Sequence, residues 1–284
     1  MQFGDFPIFD GEPIHPLNGN GVAGGGNALE YARIFAGQCP THGDDLFFGS
    51  DDGKLYNIDV DSGALIWEFA TGGRIRGTPA LADGRVIVAS GDGNVYAISA
   101  DSGLQLWKSP IAHFSRASPA IKDSTIYIGD EAGNVYALDA ATGRPKWQKQ
   151  LKGYVSQCPV ITQDGVFFAS EQGDTALISP DGNIKWKRAL GLRLTGQAIA
   201  TETQLLLPTE RGLSVLKRSD GEDDTRFKAP GNPGKVTGVL VYKNRICLTT
   251  ANASTNFSVP PRTYANYVGG PAVWSPKPAA EASK

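Results

Sequence analysis

Residues 133–147 read GNVYALDAATGRPKW, and forty residues earlier 93–107 reads GNVYAISADSGLQLW. The match extends in both directions: 53–67 is GKLYNIDVDSGALIW, and 173–186, one residue shorter, is GDTALISPDGNIKW. Their last residues, Trp67, Trp107, Trp147 and Trp186, are spaced by 40, 40 and 39 residues, and the glycines Gly53, Gly93, Gly133, Gly173 and Gly212 keep the same register. A fifth copy, GLSVLKRSDGEDDTRF at 212–227, retains the glycines and places Phe227 nearest the missing tryptophan. A period of this length marks one supersecondary unit repeated along the chain.

Before each glycine lies a second shared block: CPTHGDDLFFGSDDG, TPALADGRVIVASGDG, SPAIKDSTIYIGDEAG, CPVITQDGVFFASEQG and QAIATETQLLLPTERG, with a sixth, GVLVYKNRICLTTANA, at 238–253. Six units therefore occupy roughly 36–258. Within each, a short run before DG or KD, a β-branched and aromatic run such as RVIVAS, the NVYAIS run and the tryptophan segment read as four successive strands. Turn residues separate them, and helical periodicity is missing over any useful length. The sequence thus predicts an all-β propeller of about six four-stranded blades, in which circular closure protects sheet edges.

Composition agrees. The 284 residues include 35 glycines, against 40% hydrophobic and 20% charged residues, and tight turns account for a glycine content of this size. The net charge of −2 offers no electrostatic case for nucleic acid. No apolar run approaches the length of a transmembrane helix. The opening MQFGDFPIFDGEP lacks the basic start and apolar core of a secretory signal.

The pattern carried by Ala137, Asp139, Thr142, Gly143 and Trp147 resembles the tryptophan-docking repeat of quinoprotein-like β-propellers, the PQQ-like repeat family. That family includes the quinone-dependent alcohol dehydrogenases and the lipoprotein scaffold of the outer-membrane barrel-assembly machine, and the resemblance is nearer to the scaffold. It implies a fold, a bacterial periplasmic or cell-envelope setting, and a part in assembling a larger complex. In physical terms, the indole wedges a large flat surface against the neighbouring blade while its N–H requires an acceptor. The Thr-Gly or Ser-Gly pair is expected to make the turn that aims it.

The sixth unit lacks its final strands. Residues 28–35, ALEYARIF, hold the position of a last strand with Tyr31 near the tryptophan site, so the N-terminus is expected to close the ring. The alternative is a seventh, irregular blade built from 1–35 and 259–284. The expected organisation is an extended arm at 1–27, the propeller at 28–258 and a proline- and aromatic-bearing tail at 259–284. Phe3, Phe6 and Phe9 in the arm, and Tyr264, Tyr267 and Trp274 in the tail, are candidate anchors for other protein subunits, because aromatic residues dominate interface energetics.

Catalytic motifs are missing. His15, His42 and His113 have no metal-ligand spacing, and no nucleophile elbow, P-loop or dinucleotide fingerprint occurs. The family's dehydrogenases require adjacent cysteines beside the quinone, whereas Cys39, Cys158 and Cys247 stand far apart. Cys39 and Cys158 share one repeat position on opposite sides of the axis, too distant for a disulfide. Cys247 reads as a core thiol. No enzyme, cofactor or metal is expected, with a quinone-dependent dehydrogenase as the remotest alternative. Acidic turns such as Asp51-Asp52 and Asp130-Glu131 read as solvated hairpin tips.

One candidate site remains. Seven residues past each tryptophan stand Arg74, Phe114, Tyr154 and Arg193, and nine past stand Arg76, Arg116, Ser156 and Thr195. These precede the innermost strands and should ring one mouth of the channel, with His113 beside them. Convergent arginines at a concave opening suit a small anionic ligand or an acidic partner segment; the alternative is pairing with nearby acids. The main expectation is a non-catalytic scaffold for protein–protein contact, with a ligand-binding channel mouth as the runner-up.

Overall fold

A computed structural model describes residues 41–224, 234–242, 245–251, 262–266, 270–271 and 273–274. Among them every regular element is a strand, and the strands form six antiparallel sheets. The first holds β1 (Thr41–His42), β2 (Asp45–Gly49), β3 (Lys54–Asp59) and β4 (Leu65–Ala70) in that spatial order. The second has β5 (Ala80–Ala82), β6 (Arg85–Ala89), β7 (Asn94–Ser99) and β8 (Gln105–Pro110). The third has β9 (Ala120–Lys122), β10 (Thr125–Gly129), β11 (Asn134–Asp139) and β12 (Pro145–Gln150). The fourth comprises β13 (Val160–Ile161), β14 (Val166–Ala169), β15 (Asp174–Ile178) and β16 (Ile184–Ala189). The fifth has three strands, β17 (Ile199–Ala200), β18 (Gln204–Thr209) and β19 (Gly212–Lys217). The sixth joins β20 (Lys235–Tyr242) and β21 (Arg245–Ala251) to β22 (Arg262–Asn266), β23 (Gly270–Pro271) and β24 (Val273–Trp274). This is the blade architecture of a β-propeller.

The sixth sheet corrects one expectation. β21 pairs with β22 through Leu248 and Tyr264, and with β24 through Ile246 and Trp274, so the segment read as an irregular tail supplies sheet backbone. Its proline-rich composition hid these short extended stretches. The arm with Phe3, Phe6 and Phe9, the expected closing strand 28–35, Cys39, Phe227 and Tyr267 lie outside the described residues.

The core is built between sheets. Alternation along each strand sends one set of side chains to each face: Phe47 and Leu55 of the first sheet meet Val86, Val88 and Ile98 of the second. Ile87 and Val95 meet Ile126, Ile128 and Leu138 of the third, and the same pattern continues through the fourth and fifth sheets. Leu206 and Val215 then meet Val236, Ile246 and Leu248 of the sixth. Leu46, Ile58 and Phe48 form a separate small cluster on the face of the first sheet turned away from the second.

Tryptophans fasten this stack. In each of the first four sheets a bulge interrupts pairing just before the tryptophan, as between Ala137 and Leu138 opposite β12, and re-aims the ring. Trp67 donates its indole N–H to the Ala100 carbonyl (2.8 Å), Trp107 to Ala140 (3.0 Å), Trp147 to Pro180 (2.9 Å) and Trp186 to Arg218 (2.9 Å), each in the following sheet. The ring lies on the turn glycine of that next sheet. A Cβ on Gly143 would stand 2.6 Å from Trp107 and one on Gly221 2.6 Å from Trp186, and both glycines have positive φ. The Thr-Gly or Ser-Gly turn therefore receives the preceding sheet's indole rather than aiming its own. Burying such a ring contributes roughly 4–6 kcal/mol gross.

Candidate functional site

The loops linking each sheet to the next are pinned at three points. Ile111 donates its N–H to the Gly93 carbonyl and Leu151 to Gly133; Val155 donates to Asp130 and Leu194 to Glu171. The third set runs forward: Gly91, Glu131, Glu171 and Glu210 of the next sheet donate to the carbonyls of Arg74, Phe114, Tyr154 and Arg193. Ile75, Ser115, Val155 and Leu194 are thereby buried, and the residues on either side of them point away from the core.

The inner row of these outward residues is charge-compensated. Arg76 makes a two-pronged contact with Asp51, Nε to Oδ1 at 2.8 Å and Nη2 to Oδ2 at 3.0 Å. This hydrogen bond holds the Asp51 carboxyl below its ordinary value and raises Arg76. Arg116 closes on Glu131 and lies 3.6 Å from Glu171, whose Oε1 also accepts the Ser156 hydroxyl at 2.5 Å. Thr195 donates to the Val236 carbonyl. The acids come from the position just after the second strand, where the first, third, fourth and fifth sheets have Asp51, Glu131, Glu171 and Glu210 and the second has Gly91. Arg76 and Arg116, read from the sequence as a basic rim, thus stand in a belt of alternating sign. The repeat carries the signal for four of these acids at the hairpin position, one unit apart.

The outer row remains open to solvent. Phe114 is 42% exposed and Tyr154 47%, on successive loops. His113 lies against Phe114 with ring centroids 4.3 Å apart. Arg74 flanks them on one side, its carboxylate contact among the described residues a long 3.8 Å to Asp51, and Arg193 flanks them on the other, exposed. The structure therefore separates the six candidates into a compensated pair and an exposed aromatic row bounded by two arginines.

The acidic turns differ: Asp51 and Asp52 are exposed hairpin tips, whereas Asp130 is turned inward. Asp130 is fully buried and accepts from the backbone of Ala132 and Asn134, the Asn134 amide and the Tyr136 hydroxyl. Asp52 accepts from Tyr56 and Asp92 from Tyr96. Among the described residues no group of three or more His, Cys, Asp or Glu side chains stands together so as to hold a metal ion. Cys158 is a free thiol, half-buried, and burial pushes it up to about 11. No described helix is long and apolar enough to cross a membrane.

The sequence matches the PQQ-like repeat family described as outer membrane protein assembly factor BamB over residues 21–135 and 92–255. The chain belongs to that family. Of solved structures, BamB from Moraxella catarrhalis is 19% identical, covering 75% of this chain and 80% of that one with a TM-score of 0.47. The computationally designed Ika8 protein is 13% identical, covering 79% and 69% with a TM-score of 0.65, a likeness of fold. No curated protein matches the chain. Membership in the BamB family accords with the repeat and the tryptophan fastening described above.

Proposed function

We propose that this chain is a non-catalytic propeller scaffold that holds other protein subunits in a larger complex of the bacterial cell envelope. The compartment and the assembly role rest on the family's description as an outer membrane protein assembly factor. The observation that carries the reading is the exposed row Arg74, Phe114, Tyr154 and Arg193, held by backbone bonds from the next sheet on a rigid stack. Exposed aromatics flanked by arginines are the residues from which interface hot spots are made, and a rigid platform lowers the ordering cost of binding. The partner segment that fits is apolar or aromatic at its centre and acidic at its ends. Phe3, Phe6 and Phe9 of the arm offer a second point of attachment.

Recovery of partners with the tagged full-length protein tests this. Phe114→Ala with Tyr154→Ala is expected to lose a partner that wild type retains, and Arg74→Glu with Arg193→Glu to lose the same one while circular dichroism is unchanged. Deletion of 1–27 tests the arm. Removing 259–284 is not an equivalent test, since β22–β24 would go with it. Retention of every partner by all three variants refutes the proposal. An acidic small ligand at the inner row is disfavoured, because Arg76 and Arg116 already have carboxylate partners.

A further inference from the structure

The first-strand hairpins project at the end of the sheets opposite the rim, where neighbouring sheets meet near the indole-accepting carbonyls. Between the fourth and fifth sheets this space is plugged by an ion pair. Arg218, whose side chain is 9% exposed, donates from Nε and Nη2 to Asp164 Oδ2 (2.9 and 2.5 Å) and from Nη1 to the Thr201 carbonyl (2.7 Å). One groove back, between the third and fourth sheets, neither member of that pair exists. Pro180 takes the place of Arg218, each being the residue whose carbonyl accepts the preceding indole, and Ser124 takes the hairpin place of Asp164. A cleft of about 360 Å3 remains, walled by Tyr127, Val166 and Pro180.

Two ammonium groups are present where the plug and its acid are gone. Lys122 stands where the next sheet has Thr162, and its Nζ reaches the Thr162 carbonyl at 3.3 Å. Lys146 is the extra residue of the bulge before Trp147; its Nζ donates to Thr125 Oγ1 at 2.7 Å and lies 3.8 Å from Asp139. Of the two carboxylates lining the cleft, Asp181 is engaged by Ser179 and Asn183, while Asp123 is exposed at the hairpin turn. Volume, apolar walls and a few convergent polar groups match a small-ligand site.

We propose that this cleft binds a small organic oxyanion, a carboxylate or phosphate monoester, clasped between Lys122 and Lys146. The site is independent of the rim and of any protein partner there. Calorimetric titration of the full chain at low ionic strength with citrate and, separately, glycerol 3-phosphate tests it and distinguishes the two oxyanion types. Binding of at least one is expected, weakened about tenfold or more by Lys122→Ala and by Lys146→Ala, since each removes a charged hydrogen bond. Rebuilding the plug with Ser124→Asp and Pro180→Arg is expected to abolish it, and Arg74→Glu with Arg193→Glu to leave it unchanged. The proposal is overturned if neither anion binds below about 10 mM, or if binding survives both lysine substitutions. Loss of binding with the rim variant would assign the anion to the rim and overturn it as well.

Discussion

The groove between the fourth and fifth sheets and the groove between the third and fourth are the same construction with different contents. In both, a tryptophan of one sheet is bonded to a carbonyl of the next, and a first-strand hairpin stands beside that carbonyl's turn. In one, a guanidinium fills the space and carries its own counter-ion; in the other, Pro180 and Ser124 leave a cavity, with Lys122 and Lys146 at its edge. A repeat fold thus separates what every unit must keep, the indole and its glycine, from what one unit can vary at little cost to its neighbours.

The strongest way to break this comparison is to remove the indoles. Trp186 is 9% exposed, and Trp186→Ala is expected to cost about 3–5 kcal/mol, whereas Trp147→Ala, beside an open cleft, should fall at or below the bottom of that range. Urea unfolding followed by circular dichroism measures both, and equal losses would show that the plug adds nothing to the seat.

The next test removes the counter-ion. Asp164→Ala leaves the buried Arg218 guanidinium with the Thr201 carbonyl alone and is expected to cost about 1–3 kcal/mol, while Ser124→Ala in the open groove should stay within about 0.5 kcal/mol. The same unfolding experiment reads the contrast.

The smallest effect sets the scale. Arg76 and Asp51 form an exposed ion pair, with side chains 43% and 50% accessible, so solvent screening leaves the pair a minor contribution to stability. Because the Arg76 hydrogen bond lowers the folded-state pKa of Asp51, that stabilisation is complete above the unfolded carboxylate value of about 3.9 and is lost as pH falls through the folded value. Asp51→Asn should therefore differ slightly from wild type at neutral pH and converge with it in acid. A difference as large as that of Asp164→Ala would erase the distinction between buried and exposed pairs.

Much of the fold was legible because the tryptophans and glycines recur at fixed spacing and their roles are local to one unit and the next. The rim positions were legible for the same reason. Their electrostatics were not: Asp51 lies 25 residues before Arg76, and Arg116 meets acids from two different units, so reading one loop at a time left the charges uncompensated. The strands at 262–274 escaped notice because very short extended segments among prolines carry no alternation to detect. Pro180 and Ser124 carry no signal of their own in the sequence, because these repeat positions vary from unit to unit, and only the Arg218–Asp164 pair gives them meaning.

Each indole finds its acceptor 32 or 33 residues further along the chain. The clasp therefore has a direction in time as well as in space. As the polypeptide leaves the ribosome, a sheet that has already paired its strands still waits for nearly one more repeat before its tryptophan can close. Assembly then resembles a zip drawn from the first blade onward, each tooth set by the arrival of the next.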